Sequence, residues 1–147
     1  MKYFDSKLRL DEPSEDIDIT VQCDLDVFEW LMKFIWKEKP ILSVQNVIPI
    51  LVSADYLLMS SLIDDCALFI SQNLNDMVNV PIDMSNISTE SMKKISQLVS
   101  LWDLDNFKDP WDCLQSKIFM NKFYDLINDE TNSFNLCVYC NQLYTDK

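Results

Sequence analysis

The sequence predicts an α+β domain that is mostly helical, with a cluster of helices on a small sheet. Between residues 47 and 74, apolar side chains recur at spacings of three and four. This pattern indicates two amphipathic helices joined by a tight corner at Ser60 and Ser61. Between residues 17 and 23, apolar and polar residues alternate, which predicts a half-buried strand. A lone strand needs partners, and we expect them near residues 41–42 or upstream.

The first 40 residues are expected to add two helices. A short helix over residues 1–9 would carry Tyr3, Phe4 and Leu8 on one side. A second helix is predicted over residues 26–37, because Asp26 and Glu29 have the spacing of a capping box. Its predicted inner stripe consists of Phe28, Leu31, Met32 and Ile35.

The second half of the chain predicts further helices. Pro49 should kink the helix that Ser43 can cap, or displace its start. After a loop over residues 75–86, Ser88 or Thr89 can cap a helix, and Asp109 followed by Pro110 is typical of another helix start. That last helix should run to about residue 127, followed by a polar loop to residue 135 and a frayed end at residues 144–147.

Composition excludes several classes of function. The chain has 147 residues, 48% of them hydrophobic, which predicts one folded domain or one domain with an appendage. A net charge of −12 repels phosphates, so we expect neither nucleic acid nor a membrane as a direct partner. Five scattered cysteines and no visible secretory signal favour an intracellular protein, nuclear or cytoplasmic. The absence of glycine excludes a glycine-rich phosphate loop.

The order of residues in the predicted helical hairpin resembles that of BTB/POZ domains. The matching positions are Asn46, Leu51, Ala54, Asp55, Tyr56, Leu57, Leu62, Cys66 and Phe69. Residues 1–4, 16–26 and 28–31 are similar to the BTB domain of one family, the SANT and BTB domain regulator of class switch recombination. Residues 116–119 and 137–140 resemble that family's extension beyond the BTB core.

The resemblance implies a division of the chain into a BTB/POZ-like core over residues 1–80, a helical extension over 81–134 and a tail over 135–147. In BTB domains the leading helix follows a front β-hairpin and joins the dimer interface. The chain begins at that helix, so we expect the hairpin to be missing, either because the chain is a fragment or because the domain lacks those strands.

No catalytic site is predicted. Without histidine there is no usual base to activate a nucleophile, and the many carboxylates fall on predicted solvent faces and helix starts. Cys137 and Cys140 have the spacing of a zinc half site, but a closed structural site needs four ligands. We therefore expect no cofactor within the chain. In the family, this motif looks like the opening half of a zinc-binding region that is completed downstream.

The function implied by the resemblance is a non-enzymatic interaction module that forms homodimers and assembles other proteins, in transcription or chromatin regulation. The aromatic residues Trp30, Phe34 and Trp36 lie off the predicted inner stripe, so either their helix is buried on two sides or some of them meet a partner. The predicted contact residues are Tyr3, Phe4, Leu8, Trp30, Phe34 and Trp36.

The alternative function is an adaptor subunit of a cullin-type ubiquitin ligase. Adaptors of the BTB class carry a hydrophobic-x-Glu element just before the central helix. The matching positions here are Asn46, Val47 and Ile48, which lack the acid. This difference disfavours the adaptor hypothesis.

Overall fold

The computed structural model describes residues 23–129, 134–140 and 142–145. Within these residues the chain forms seven helices and one two-stranded sheet. The helices are α1 (Leu25–Ile35), α2 (Val47–Tyr56), α3 (Ser60–Gln72), α4 (Leu74–Met77), α5 (Thr89–Leu98), α6 (Leu101–Asn106) and α7 (Gln115–Asn128). The strands β1 (Phe134–Leu136) and β2 (Leu143–Thr145) pair antiparallel, with Asn135 opposite Tyr144.

The helix pair α2–α3 forms the centre of the fold, as the sequence predicted. The α3 helix packs against α2 on one side and α5 on the other, and α5 packs in turn against α7. Leu51, Leu62, Cys66 and Ile70 are fully enclosed, because the wide apolar stripes of α2 and α3 face each other and α5. The corner lies at residues 57–59, so α3 begins with the two serines that were predicted to form the turn.

Proline and serine fix where the middle helices begin. Pro49 occupies the first turn of α2, where its missing N–H is tolerated, and the helix starts at Val47 instead of near Ser43. Ser88 caps α5, because its Oγ accepts the backbone N–H of Ser91 at 3.1 Å. The displaced start at Pro49 and the cap at Ser88 agree with the sequence-based expectation, whereas Ser43 does not cap α2, whose N-cap residue is Asn46.

A shared carboxylate ties α2 to α5. The Oδ2 atom of Asp55, near the end of α2, accepts hydrogen bonds from Ser88 Oγ at 2.7 Å and Ser91 Oγ at 2.8 Å. Ser91 is buried, so its hydroxyl would lose a hydrogen bond without this partner. The contact therefore fixes the first turn of α5 against the central pair.

The start of α1 differs from the prediction. Asp24 occupies the N-cap position without a side-chain cap, and Asp26 lies in the first turn, so the predicted capping box of Asp26 and Glu29 is wrong. The residues of α1 that are buried in the core are Val27 and Leu31, whereas Phe28 is exposed. The helix is thus rotated relative to the predicted stripe, since Trp30 and Phe34 also pack against the core.

Two short elements of the second half were not predicted. The α6 helix begins with a capping box in which Ser100 Oγ accepts the N–H of Asp103 and the Asp103 carboxylate accepts the N–H of Ser100. The β1–β2 hairpin lies where a polar loop and a frayed end were expected. The predicted helix at residues 1–9 and residues 17–22 of the predicted strand lie outside the described residues, and Cys23, the last residue of that strand, lies in a bend.

The α7 helix begins later than predicted, at Gln115. The N-cap residue is Leu114 and not Asp109 as predicted, but Asp109 Oδ2 accepts the backbone N–H groups of Leu114 at 2.7 Å and Gln115 at 3.0 Å and so satisfies the start of the helix from a distance. Burial raises the pKa of the Asp109 carboxyl, but the backbone N–H groups, those of Leu114 and Gln115 first, lower its pKa below the ordinary value. Asp112 adds a second bond, to Ser116 N at 2.9 Å.

Candidate protein-interaction surfaces

The outer side of α7 is an exposed apolar surface, which we call the C-terminal face. Ile118 is the buried residue of this helix. Six large apolar side chains are between 37% and 56% exposed: Phe119, Met120, Phe123, Tyr124, Leu126 and Ile127. On a helix of 3.6 residues per turn these six span an arc of about 160°, opposite Ile118. The apolar side of α7 therefore points away from the chain's own core.

The inner side of α7 packs against α5. Ile118 enters the core, and Asp125 Oδ1 lies 4.0 Å from Lys93 Nζ on α5. On the outer side the rings of Phe119 and Phe123 stack with their centroids 6.4 Å apart. Leu101 lies beside Phe119 across a shallow groove and is 69% exposed, so the C-terminal face continues onto α6.

A second surface, which we call the lysine groove, lies between the end of α1 and the α2–α3 corner. It encloses about 720 Å³. Its lining residues are Phe34, Ile35, Lys37, Lys39, Leu58 and Met59, with the hydroxyls of Ser60 and Ser61 at one end. An apolar floor with a few polar groups at the rim is the usual composition of a ligand pocket of this size.

The two helix ends that form the lysine groove both end in a Schellman motif. After α1, Lys37 N bonds to Phe34 O and Glu38 N bonds to Lys33 O, both at 3.0 Å, which is the Schellman pattern. After α2, Leu58 N and Met59 N make the corresponding bonds to Asp55 O and Ala54 O. This motif needs a left-handed residue, normally glycine.

The chain has no glycine, so Lys37 and Leu58 adopt this backbone conformation with φ of 63° and 55°. Lys39 does the same in the following loop, with φ of 53°. These three of the four described left-handed residues line the lysine groove, and Asp112 does not. Side chains therefore stand at positions where most proteins have none, and two of them carry positive charge.

The predicted contact residues of α1 are divided between interior and surface. Trp30 and Phe34 are partly buried against the core and stack at 5.8 Å, and Trp30 Nε1 donates to Ile41 O at 3.0 Å. Trp36 is 71% exposed. The helix is therefore covered on two sides at Trp30 and Phe34 and open at Trp36. The remaining predicted contacts, Tyr3, Phe4 and Leu8, lie outside the described residues.

The two cysteines of the tail share the turn of the β1–β2 hairpin. Cys137 N donates to Gln142 O at 2.9 Å, and Cys140 Sγ lies 3.9 Å from Gln142 Oε1. Hydrogen bonds from the backbone N–H groups of Cys140 and Tyr139, and from the Cys140 side chain, lower the pKa of the Cys137 thiol below its usual value. Two thiols converging on one turn match the donor set of half a zinc site, which stays a prediction.

The part of the chain that the structure describes contains neither a candidate metal site nor a helix suited to cross a membrane. No group of three or more cysteine, aspartate or glutamate side chains is arranged there to hold a metal ion. None of the helices there combines the length and the apolar character that crossing a membrane requires.

Cys66 on α3 is fully buried. Its burial, and after that the negative charges of Asp65 and Asp55, raise the pKa of its thiol to about 12.

A comparison with protein families identifies the first part of the chain. Residues 1–67 match the family model described as the SANT and BTB domain regulator of CSR, BTB domain. Residues 1–67, somewhat less than half of the 147-residue chain, are therefore similar to the BTB domain of that family. The match ends inside α3, so α4 to α7 and the hairpin lie beyond it. No solved structure matched the chain.

The match indicates which type of module the central helices resemble. BTB domains are in general protein–protein interaction modules. The helices α1 and α2 and the first half of α3 lie inside the BTB match, and they form the lysine groove. The C-terminal face lies entirely beyond it, on α6 and α7. The two surfaces are thus built from different parts of the chain.

The sequence did not indicate that either set of residues forms a surface. The apolar residues of α7 were recognised as helical, but a stripe of 160° looks the same whether it faces inward or outward. The lysine groove is formed by two turns 21 residues apart, Lys37 and Leu58, which no local pattern joins. One signal was present: a chain without glycine must place side chains at its helix C-termini.

Proposed function

We propose that the chain is a non-enzymatic assembly module that forms homodimers through its C-terminal face. The observation that carries this proposal is the outward orientation of the apolar residues of α7, with six large side chains at least 37% exposed. Together with Leu101, their exposed parts amount to roughly 600 Å², whereas scattered exposed apolar residues of a monomer form smaller patches. A covered patch is the ordinary explanation for such a surface.

A second copy fits this patch by area. A standard interface buries about 800 Å² on each partner, most of which the apolar side chains of α6 and α7 already supply. The stacked pair of Phe119 and Phe123 would lie at the centre, where aromatic residues usually dominate binding energy. BTB domains often dimerise, which supports the same occupant.

Charge opposes self-association but does not prevent it. Each copy carries −12, so two copies repel at low ionic strength. Added salt screens this repulsion over a Debye length of about 8 Å at 0.15 M. The dimer should therefore become tighter as salt concentration rises.

Sedimentation equilibrium at about 50 μM, a concentration at which a micromolar interface is populated, tests the proposal. We expect a dimer for the unmodified chain and a monomer for the variant Phe119→Ser/Phe123→Ser. The matched comparison is Trp36→Ser with Phe4→Ser, which removes two aromatic residues from the contact set predicted from sequence. A monomeric unmodified chain contradicts self-association, and a monomer only in the second variant moves the interface to α1 and the leading residues.

The family also suggests where the module acts. The matched family is described as a regulator, so we propose a role in transcription or chromatin regulation, in the nucleus or cytoplasm, through protein partners and not through direct nucleic-acid or membrane contact. The charge of −12 supports the last point. Localisation of a fluorescent fusion checks it, and exclusion from the nucleus would contradict a direct chromatin role.

The cullin-adaptor hypothesis gains no support from the residues on which it depends. Val47 and Ile48, which stand at the adaptor motif, are buried in the core with 0% and 2% exposure. They therefore contact the chain's own helices instead of a partner. Co-precipitation with cullins tests the hypothesis directly.

A further inference from the structure

We propose that the lysine groove is a docking site for an acidic, apolar peptide segment of another protein. This inference concerns a different surface from the proposed dimer. The groove combines an apolar floor, formed by Phe34, Ile35, Leu58 and Met59, with Lys37 and Lys39 at its rim. Its volume of about 720 Å³ is in the range that receives several side chains of a bound peptide.

The charge of the groove is the opposite of the charge of the chain. The sequence has 24 acidic and 12 basic residues, yet the described residues that line the groove include two lysines and no acid. Glu38, between the two lysines in sequence, does not line it. By contrast, the groove beside α2 contains Asp24 and Asp83, and the one between α6 and α7 contains Asp105 and Asp112.

The positive charge of the groove on an otherwise acidic chain indicates which kind of peptide binds there. A basic segment would be attracted to the acidic surface at large, whereas an acidic segment is favoured only beside lysines such as Lys37 and Lys39. The apolar floor then requires apolar side chains between the acids. An extended peptide that alternates acidic and apolar residues satisfies both requirements, because alternate side chains of an extended chain point to opposite sides.

The backbone that carries Lys37 is held in place by the fold. Lys37 occupies the left-handed position of the Schellman motif that ends α1, where the hydrogen bonds of Lys37 N to Phe34 O and Glu38 N to Lys33 O fix the backbone. Leu58 holds the same position at the end of α2, also lines the groove and is 56% exposed. The groove is therefore formed before a partner arrives, which lowers the ordering cost of binding.

Fluorescence anisotropy with a labelled peptide of about ten residues, alternating aspartate or glutamate with leucine or phenylalanine, tests the inference. We expect a dissociation constant on the order of 10–100 μM for the full chain, a range typical of short-peptide docking. A peptide in which lysine replaces every acid should bind at least about tenfold more weakly, and added salt should weaken the acidic peptide.

The variant Lys37→Asp/Lys39→Asp should lose at least tenfold in affinity. Aspartate reverses the charge and tolerates the left-handed backbone better than most residues, so the fold is retained. The matched control is Lys108→Asp/Lys117→Asp, two exposed lysines outside the groove, which changes the net charge equally. Leu58→Asn removes the apolar wall at a position where asparagine is also tolerated, and it should weaken binding as well.

Three outcomes would overturn the inference. The first is that the acidic peptide does not bind at concentrations up to 1 mM, about tenfold above the expected dissociation constant. The second is that the two double variants bind the acidic peptide equally well, and the third is that the unmodified chain binds the acidic and basic peptides equally well. The same measurement in Phe119→Ser/Phe123→Ser should give the unmodified affinity, so failure of the dimer and failure of the groove are distinguishable. Their opposite responses to salt provide a second distinction.

Discussion

The α3 and α7 helices have nearly the same length and similar apolar content, but the fold uses them in opposite ways. In α3 the buried residues are Leu62, Ile63, Cys66, Ala67 and Ile70. In α7 the one buried residue is Ile118, and six large apolar residues face outward. The α3 helix lies between two neighbours, whereas α7 packs against one. The comparison shows that periodicity identifies an amphipathic helix, and that the number of neighbours decides whether its apolar side is interior or surface.

The thiols of the two regions should show the largest contrast. Burial raises the pKa of Cys66 to about 12, whereas backbone N–H groups lower that of Cys137. An aromatic disulfide reagent reacts with an accessible thiolate, so Cys66 should react only when the chain opens. In variants that keep only one cysteine each, Cys137 should react at least about 10³ times faster at pH 8.

The control for this prediction is the same pair of variants in guanidinium chloride, where both thiols should react at similar rates. A ratio near one in the native state would mean that the α2–α3–α5 core opens freely. That result would remove the contrast between an enclosed α3 and an exposed C-terminal region.

The next largest effect concerns the stability of the core. Leu62→Ala deletes a fully enclosed side chain at the start of α3 and should lower the free energy of unfolding by about 2–5 kcal/mol. Urea denaturation followed by circular dichroism measures the change. Leu68→Ala is the matched control, because Leu68 lies on the same helix but is 46% exposed. Equal losses for the two variants would contradict the burial that distinguishes the sides of α3.

The sequence predicted those elements whose signals are local. The periodicity of residues 47–74 predicted α2 and α3, Ser88 predicted the start of α5, and Pro49 predicted a displaced helix start. The α6 helix was predictable as well, since Ser100 and Asp103 have the spacing of a capping box. The strands of the terminal hairpin are three residues each, which is too short for alternation to be recognised.

The interaction surfaces depend on tertiary structure, and for that reason the sequence could not locate them. Trp30 and Phe34 were grouped with Trp36 because all three lie off one predicted stripe, but α1 is rotated and only Trp36 is largely exposed. The lysine groove needs Lys37 and Leu58 to face each other, which depends on how α1 crosses the α2–α3 corner. The BTB resemblance gave the type of module, and the match to residues 1–67 confirmed it, without indicating which surface is used.

The smallest effect is expected at the most exposed of the six apolar residues of α7. Tyr124 on the C-terminal face is 56% exposed, so the isolated chain gains little from it. Tyr124→Ser should change the free energy of unfolding by about 0.5 kcal/mol or less, because the two residues have similar helix propensities and the ring leaves no cavity. The measurement belongs at about 1 μM protein, where a micromolar dimer has largely dissociated. A loss above about 2 kcal/mol would place the ring in the chain's own core, and α7 would then resemble α3 instead of contrasting with it.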